Sequence, residues 1–344
     1  MQKAIILLIG ILLITGFTAG CISSTEEDNT DNRTVDIIGN TEKNDSINNE
    51  TVLASVQDET ENYQNTTIGQ APVPEPSVVD IDNLRIGAFN IQVFGVTKAS
   101  KPEVMEVLAE IIRTYDIVAI QEIRDASQTA LPSLVELVNS DDHEYSYVVS
   151  ERLGRTSSKE QYAYIFNTQT VQIDGEPQTY PEPEDTDPFH REPYIMAFSS
   201  VTGNFDAVMM VIHTDPDEAT EEINYLDDAL SYAQELYPDE EDFMILGDLN
   251  ADGSYFDEDG TSDLDAYQWI ISDDLDTTTK TTNRTYDRII LTDTSDFTGD
   301  AGVFRYDTEY GLDYEQTIAV SDHYPVYAEF IITNDNDRNV SSVV

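Results

Sequence analysis

Apolar residues along this chain come in two rhythms. The stretches "LRIGAFNIQVFG" (84–95), "DIVAIQEIRD" (116–125), "YSYVVSER" (145–152), "QYAYIFN" (161–167), "YIMAFSS" (194–200) and "FDAVMMVIHT" (205–214) are short and rich in aromatic and aliphatic residues. So are "DFMILGDLN" (242–250), "YDRIIL" (286–291) and "YPVYAEFII" (324–332). Such runs predict strands, and the ones that are apolar throughout predict strands covered on both faces. Two longer stretches carry helical spacing instead. In residues 100–115, Val104, Val107, Leu108, Ile111 and Ile112 share one face, with Pro102 in the first turn and Ser100 and Glu103 in a capping-box pattern. Near Ala219 to Leu236, Ile223, Leu226, Leu230 and Ala233 do the same. Runs of strands interspersed with a few helices predict an α/β fold of two packed sheets with helices outside, not a strict βαβ alternation. No repeat of fixed period is visible.

The first residues follow neither rhythm. Lys3, an apolar run from Ala4 to Ile14 and small residues ending in Thr18-Ala19-Gly20-Cys21 describe a secretory signal, residues 1–21. The run is short for a bilayer span of about 20 residues. Small residues before a Cys resemble a lipoprotein lipobox, so Cys21 is expected to carry a lipid anchor on the outer face of the cell membrane. It is the only cysteine, which excludes an intramolecular disulfide. Residues 22–81, rich in Asn, Thr, Asp and Glu and closing on "APVPEPS", read as a disordered tether. Asn32, Asn44, Asn49 and Asn65 open possible glycosylation sequons there. Residues 82–333 suffice for one large domain, followed by a tail over 334–344.

Charge changes the picture next. The formal net charge is −51, and with 13 acids and 3 bases before Asp82, −41 of it falls on the remainder. In dilute buffer such a surface repels polyanions. At about 1 M salt, where the Debye length is about 3 Å, it does not, and a saline habitat is the expectation.

The polar exceptions to the strand pattern carry the chemistry. Asn90, Glu122, His213, and Asp248 with Asn250 each lie at or just past the end of an apolar run. Isolated ionisable groups at buried strand ends are costly unless paired or metal-bound. Asp248-x-Asn250-x-Asp252-Gly253 also matches the opening of an EF-hand calcium loop. Against that reading, position twelve is Asp259 and not Glu, the preceding residues read as a strand, and no second copy exists. His323 follows Asp322 and precedes a strand, and Asp287 opens another, where it could orient a histidine or pair with Arg284 or Arg288.

The order "N…E…H…GDxN…D…SDH" resembles the endonuclease/exonuclease/phosphatase superfamily, and within it the deoxyribonuclease I branch. "GAFNIQVFG", "YDIVAIQEIRD", "YVVSERLGR", "FHREP", "GDLNADGSY", "TTNRTYDRI" and "AVSDHYPV" carry the resemblance in collinear order from Leu84 to Ile332. It implies a four-layer αββα sandwich of two mixed sheets. It also implies roles. Glu122, helped by Asn90 and Asp322, would hold a catalytic Mg²⁺ (or Mn²⁺), a hard cation suited to oxygen ligands. Asp248 would position or deprotonate the attacking water and Asn250 would hold a phosphate oxygen. His323 oriented by Asp287, and His213 paired with Glu160, would be the catalytic histidines. Arg124 and Arg191 would contact DNA phosphates. Structural Ca²⁺ would sit at Asp187 and Glu192 and at Asp276, Thr278 and Thr282, although Lys280 interrupts the second set. The chain departs from the family at Gln92 and Ser158, where an Arg and a Tyr would touch DNA, and at Gly253 and Arg284, the places of a disulfide.

The reading is an anchored, extracellular, monomeric, metal-dependent endonuclease that cuts DNA with little sequence preference and leaves 5′-phosphates. The alternatives are a phosphodiesterase or phosphatase acting on a phospholipid or sugar phosphate, and a non-catalytic calcium-binding surface protein.

Overall fold

Each apolar run forms a strand in the computed structural model, which describes residues 82–333 and 335 other than 185 and 259. Expectations placed on residues 1–81, 334 and 336–344, including Cys21, the tether, the sequons and the tail, lie outside the described residues. The order is β1 (Asn83–Phe94), α1 (Val96–Ala99), α2 (Pro102–Ile112), β2 (Ile117–Ile123), α3 (Ala130–Val138), β3 (Tyr145–Val149), β4 (Gln161–Asn167), β5 (Val171–Thr179), β6 (Tyr194–Ser200) and β7 (Asp206–His213). Then come α4 (Ala219–Leu236), β8 (Phe243–Asp248), β9 (Gln268–Trp269), β10 (Asp287–Leu291), β11 (Phe297–Val303), α5 (Tyr306–Glu309), α6 (Tyr314–Val320) and β12 (Val326–Ile331).

The strands make two six-stranded sheets, β11-β12-β1-β2-β4-β3 and β5-β6-β7-β8-β10-β9. Each is mixed: β1 and β2 run parallel at the centre of the first, β7 and β8 at the centre of the second, and every other neighbour is antiparallel. The two sheets therefore repeat one plan that no sequence period announces.

Strand β2 shows why its run has no polar face. Ile117 and Ala119 point into the core between the sheets, beside Ile86, Tyr164, Met209 and Leu246. Val118 and Ile120 point the other way, under Leu108, Ile111 and Leu134 of α2 and α3. On the far side, Ile223, Leu226 and Leu230 of α4 cover Val208, Ile212 and Ile245. The result is a four-layer αββα sandwich, and burying each such side chain stabilises it by about 1.5–3 kcal/mol.

One local expectation fails. Helix α2 starts at Pro102 with Lys101 as its N-cap and no side-chain cap, while the Ser100 hydroxyl donates to the Thr97 carbonyl. The preceding turn α1 claims Ser100 before the longer helix can use it. A true capping box is found at α6 instead, between Asp313 and Gln316. Among the described residues no helix is long and apolar enough to cross a membrane.

Candidate active site

The C-terminal ends of β1, β2, β7 and β8 and the first residue of β10 meet at one end of the sandwich, and the backbone there is strained. The β1–β2 register slips between Asn90 and Phe94, with Gln92 at φ 39°, Val93 at φ 50° and Glu122 at φ 61°. Left-handed backbone is rare for any non-glycine residue and an outlier for a β-branched one. Such bulges re-aim side chains next to active sites. Here the bulge turns Glu122 so that its Oε2 accepts the Val93 N–H at 2.8 Å. On the second sheet, Gly247 at φ 139° lets the chain pass the Ile212 carbonyl, where a Cβ would sit at 2.0 Å. The next residue, Asp248, pairs in register with His213.

Two carboxylate–histidine dyads flank Asp248. Glu160 Oε2 lies 2.9 Å from His213 Nδ1, and Asp287 Oδ2 lies 2.8 Å from His323 Nδ1. Both rings turn their Nε2 toward the same oxygen: Asp248 Oδ2 is 3.6 Å from His213 and 3.5 Å from His323. Asn90 Nδ2 donates to that oxygen at 2.9 Å and to Glu122 Oε1 at 3.2 Å, tying the Glu122 carboxylate to the centre. The Asn250 N–H donates to Asp248 Oδ1 at 3.1 Å, while its side-chain amide donates to the Thr214 carbonyl. An amide has two N–H donors, so one remains.

Electrostatics follow from this packing. Burial alone would push Asp248 up, but His323, His213 and the hydrogen bonds from Asn90 and Asn250 hold it below the usual carboxylate range. Burial likewise works against Glu160, yet His213, Arg191 and Arg124 bring it down to about 2. His213 is raised: burial lowers it, and Glu160 and Asp248 outweigh that. His323 rises to about 10 against burial, through Asp287, Asp248 and Asp322. Burial raises Asp287. With Asp248 facing the same ring, the proton that Asp287 and His323 share belongs on the imidazole.

The donor set fits a divalent cation. Asp322 Oδ1 is buried with no hydrogen-bond partner, although it lies 3.8 Å from His323 Nε2. Glu122, Asn90 and Asp322 supply oxygen donors of the hard kind. The Ser321 hydroxyl donates to the Asn90 carbonyl at 2.6 Å and accepts the His323 N–H at 3.1 Å, fixing the Asp322 turn against β1. Lys98, not singled out from the sequence, braces the same junction by donating to the carbonyls of Ile91 and Val320. Asp248, Asp287 and His323 also bring one donor atom each within 4.8 Å of one another. Asp242, Asp296 and Asp335 do so at the other end of the strands.

Of the two arginines expected at DNA phosphates, Arg124 is the more exposed. Its guanidinium is a third exposed and lies 2.8 Å from Glu160 and 3.1 Å from Glu122. Arg191 is 5 % exposed, with Nε and Nη2 donating to the carbonyls of His213 and Thr214. That expectation is corrected: Arg191 supports the end of β7 from below.

The calcium expectations divide. Beside Asp187 and Glu192 the structure places Glu182, which sequence reading missed. Burial and then these two acids raise Glu182, whose carboxylate also accepts the Phe189 N–H. Arg155 pairs with Asp187 at 3.0 Å. Glu182 thus senses both acids, although the three carboxylates do not bring one oxygen each within 4.8 Å of one another. The second set is bonded within its own loop. Asp276 Oδ1 accepts the N–H groups of Thr278 and Arg284, and the Thr278 hydroxyl sits between Asp276 and the Thr282 carbonyl. These bonds engage one oxygen of Asp276 and the Thr278 hydroxyl from within the loop. The EF-hand reading is also excluded, since β8 and not a helix leads into Asp248, and Asp252 accepts the Thr285 N–H at 2.7 Å. Gly253 and Arg284 do face each other, an added Cβ on Gly253 falling 3.1 Å from Arg284 Nε. An Asp252–Arg284 ion pair at 3.4 Å joins the loops there.

Comparison with known proteins agrees with this geometry. The Endonuclease/Exonuclease/phosphatase family matches residues 87–323. Deoxyribonuclease-1 of Bos taurus is 39% identical over 260 residues, covering 71% of this chain and 91% of that protein. Deoxyribonuclease-1-like 2 of Mus musculus is 35% identical over 258 residues, covering 72% and 91%. Among solved structures, an endonuclease/exonuclease/phosphatase family protein from Bacteroides thetaiotaomicron superposes with a TM-score of 0.53 at 15% identity, covering 74% of this chain and 99% of that one.

Proposed function

The chain belongs to the deoxyribonuclease I-like branch of the endonuclease/exonuclease/phosphatase family, a hydrolase by that membership, and on this premise we propose that it cuts DNA phosphodiester bonds with little sequence preference, leaving 5′-phosphates. The observation that carries the reading is the pair of carboxylate–histidine dyads converging on Asp248 Oδ2.

Hydrolysis of a phosphodiester needs neutralised charge on a non-bridging oxygen, an aligned water and a proton for the departing oxygen. Bound Mg²⁺ or Mn²⁺, held by Glu122 and Asp322 with Asn90, would supply the first. Asp248, kept anionic by two imidazoles, aligns the water and accepts its proton. His323, kept protonated by Asp287, gives its Nε2 proton to the departing oxygen or to the phosphate. His213, held by Glu160, binds the phosphate from the other side. The free N–H of Asn250 binds a phosphate oxygen, and Arg124 contacts a neighbouring phosphate.

Calcium is proposed at Glu182, Asp187 and Glu192 only. The same reading places the protein outside the cell as a monomer tethered through a lipid on Cys21. A Cys21→Ser variant should then leave the membrane fraction.

The test is plasmid nicking in Mg²⁺ with wild type, Glu122→Ala and His323→Ala. Both variants should lose at least about a hundredfold in rate, the range of single acid–base and electrostatic groups. New ends should accept a kinase label only after dephosphorylation. Unchanged nicking by either variant would refute the assignment. The second reading, a phosphodiesterase or phosphatase on a non-DNA substrate, is favoured by the burial of Arg191 together with Gln92 and Ser158. Turnover of a sugar phosphate without plasmid nicking would establish it.

A further inference from the structure

Lys280 stands apart from the rest of its loop. The groups around it close on one another, but its side chain, 60% exposed, reaches across to Asp322, with Nζ 2.7 Å from Oδ2. The backbone beneath is fixed, because the Thr279 N–H donates to the Asp322 carbonyl at 2.9 Å and the Thr279 hydroxyl to the Ser321 carbonyl at 3.0 Å. An anchored backbone thus delivers an exposed ammonium onto one oxygen of a carboxylate whose other oxygen is buried without a hydrogen bond.

We infer that Lys280 is a stand-in cation: it covers Asp322 until a divalent ion binds there, and the displaced ammonium then contacts a phosphate of the bound nucleic acid. The inference deepens the proposed function and rests on it. An exposed ion pair shifts an equilibrium by a factor of roughly two to five. That is enough to weaken the ion's binding measurably and too little to prevent it. Because ion and ammonium compete for one carboxylate edge, whatever the lysine contributes to the pair is subtracted from the affinity for the ion. Once released, the ammonium stays beside His323, since Thr279 holds its backbone there. In a chain of net charge −51, a cation at that spot offsets repulsion where the polyanion must come closest.

The test compares the full chain with its Lys280→Met variant. Without DNA, Mn²⁺ binding followed by electron paramagnetic resonance should be two- to fivefold tighter in the variant. On an Asp322→Asn background the difference should vanish. With Mg²⁺ and a blunt duplex oligonucleotide, the slope of log kcat/KM against log salt should become more positive by about one in the variant, the signature of one lost phosphate contact. Mn²⁺ binding that is unchanged or weaker in Lys280→Met, or an unchanged salt slope, overturns the inference. If wild type itself fails to nick DNA, the proposed function falls, while the Mn²⁺ measurement still judges Lys280.

Discussion

Replacing Glu160 by Gln keeps the shape of a side chain that is 1% exposed and removes its charge. In the structure that charge faces His213 Nδ1 at 2.9 Å, Arg124 Nη2 at 2.8 Å and Arg191 Nη1 at 3.6 Å. Together they lower Glu160 from an ordinary 4.5 to about 2, although burial opposes them. A carboxylate depressed on folding contributes stability that is complete above its unfolded value and is lost as pH falls through its folded one. The gap, at about 1.4 kcal/mol per pH unit, amounts to about 3 kcal/mol at neutral pH. His213 reports the same attraction with the opposite sense, present below its unfolded value and fading as pH rises, so the pair is counted once. Glu160→Gln should therefore be about 3 kcal/mol less stable than wild type at pH 7. The difference should shrink steadily below pH 4.5 and approach zero near pH 2. Urea unfolding at a series of pH values, followed by the fluorescence of Trp269, measures it. The same variant should lose roughly 10²–10⁴ in kcat, because the His213 ring loses the acceptor that sets its tautomer. A stability gap that stays constant from pH 7 to pH 3 would sink the assignment of this charge network.

Gly247→Ala must accommodate a Cβ 2.0 Å from the Ile212 carbonyl at φ 139°, so it should cost more than about 2 kcal/mol, read as a lower Tm; an unchanged Tm refutes the close approach. Chelation by EGTA should lower Tm by several degrees through loss of an ion that binds only the folded state, and Glu182→Ala should abolish that shift. No response to EGTA in wild type would dismiss calcium at the Glu182–Asp187–Glu192 loop. Activity should rise as salt approaches about 1 M, where charges farther apart than about 3 Å cease to interact; an optimum in dilute buffer contradicts the saline expectation.

Much of this was readable from residues. The central strands announced themselves because both of their faces are buried, and the ionisable residues at their ends stood out against that background. What escaped had physical reasons. Helix α3 carries no local cap: its N-cap Thr129 offers no side-chain bond, and the carboxylate of Asp125 accepts the N–H groups of Thr129 and Ala130 from outside the helix. Strand β5 is an edge strand broken by Gly175 and Pro177, with most side chains outward. The Arg191 error came from treating an arginine beside the site as one facing it, and spacing along a chain does not tell front from back. Glu182 was invisible for a related reason, since its partners lie five and ten residues away across a loop with no periodicity.

Both dyads join opposite halves of the molecule. Glu160 precedes β4 of the first sheet and holds His213 of the second; Asp287 of the second holds His323, which precedes β12 of the first. The pairs act as rivets through a seam whose packing is otherwise greasy and unspecific in direction. A slip of about 1 Å between the halves would cost the core little, yet it would unmake both hydrogen bonds at once. Turnover is therefore the finest available gauge of how the halves are aligned, and it should fail on heating before the protein melts.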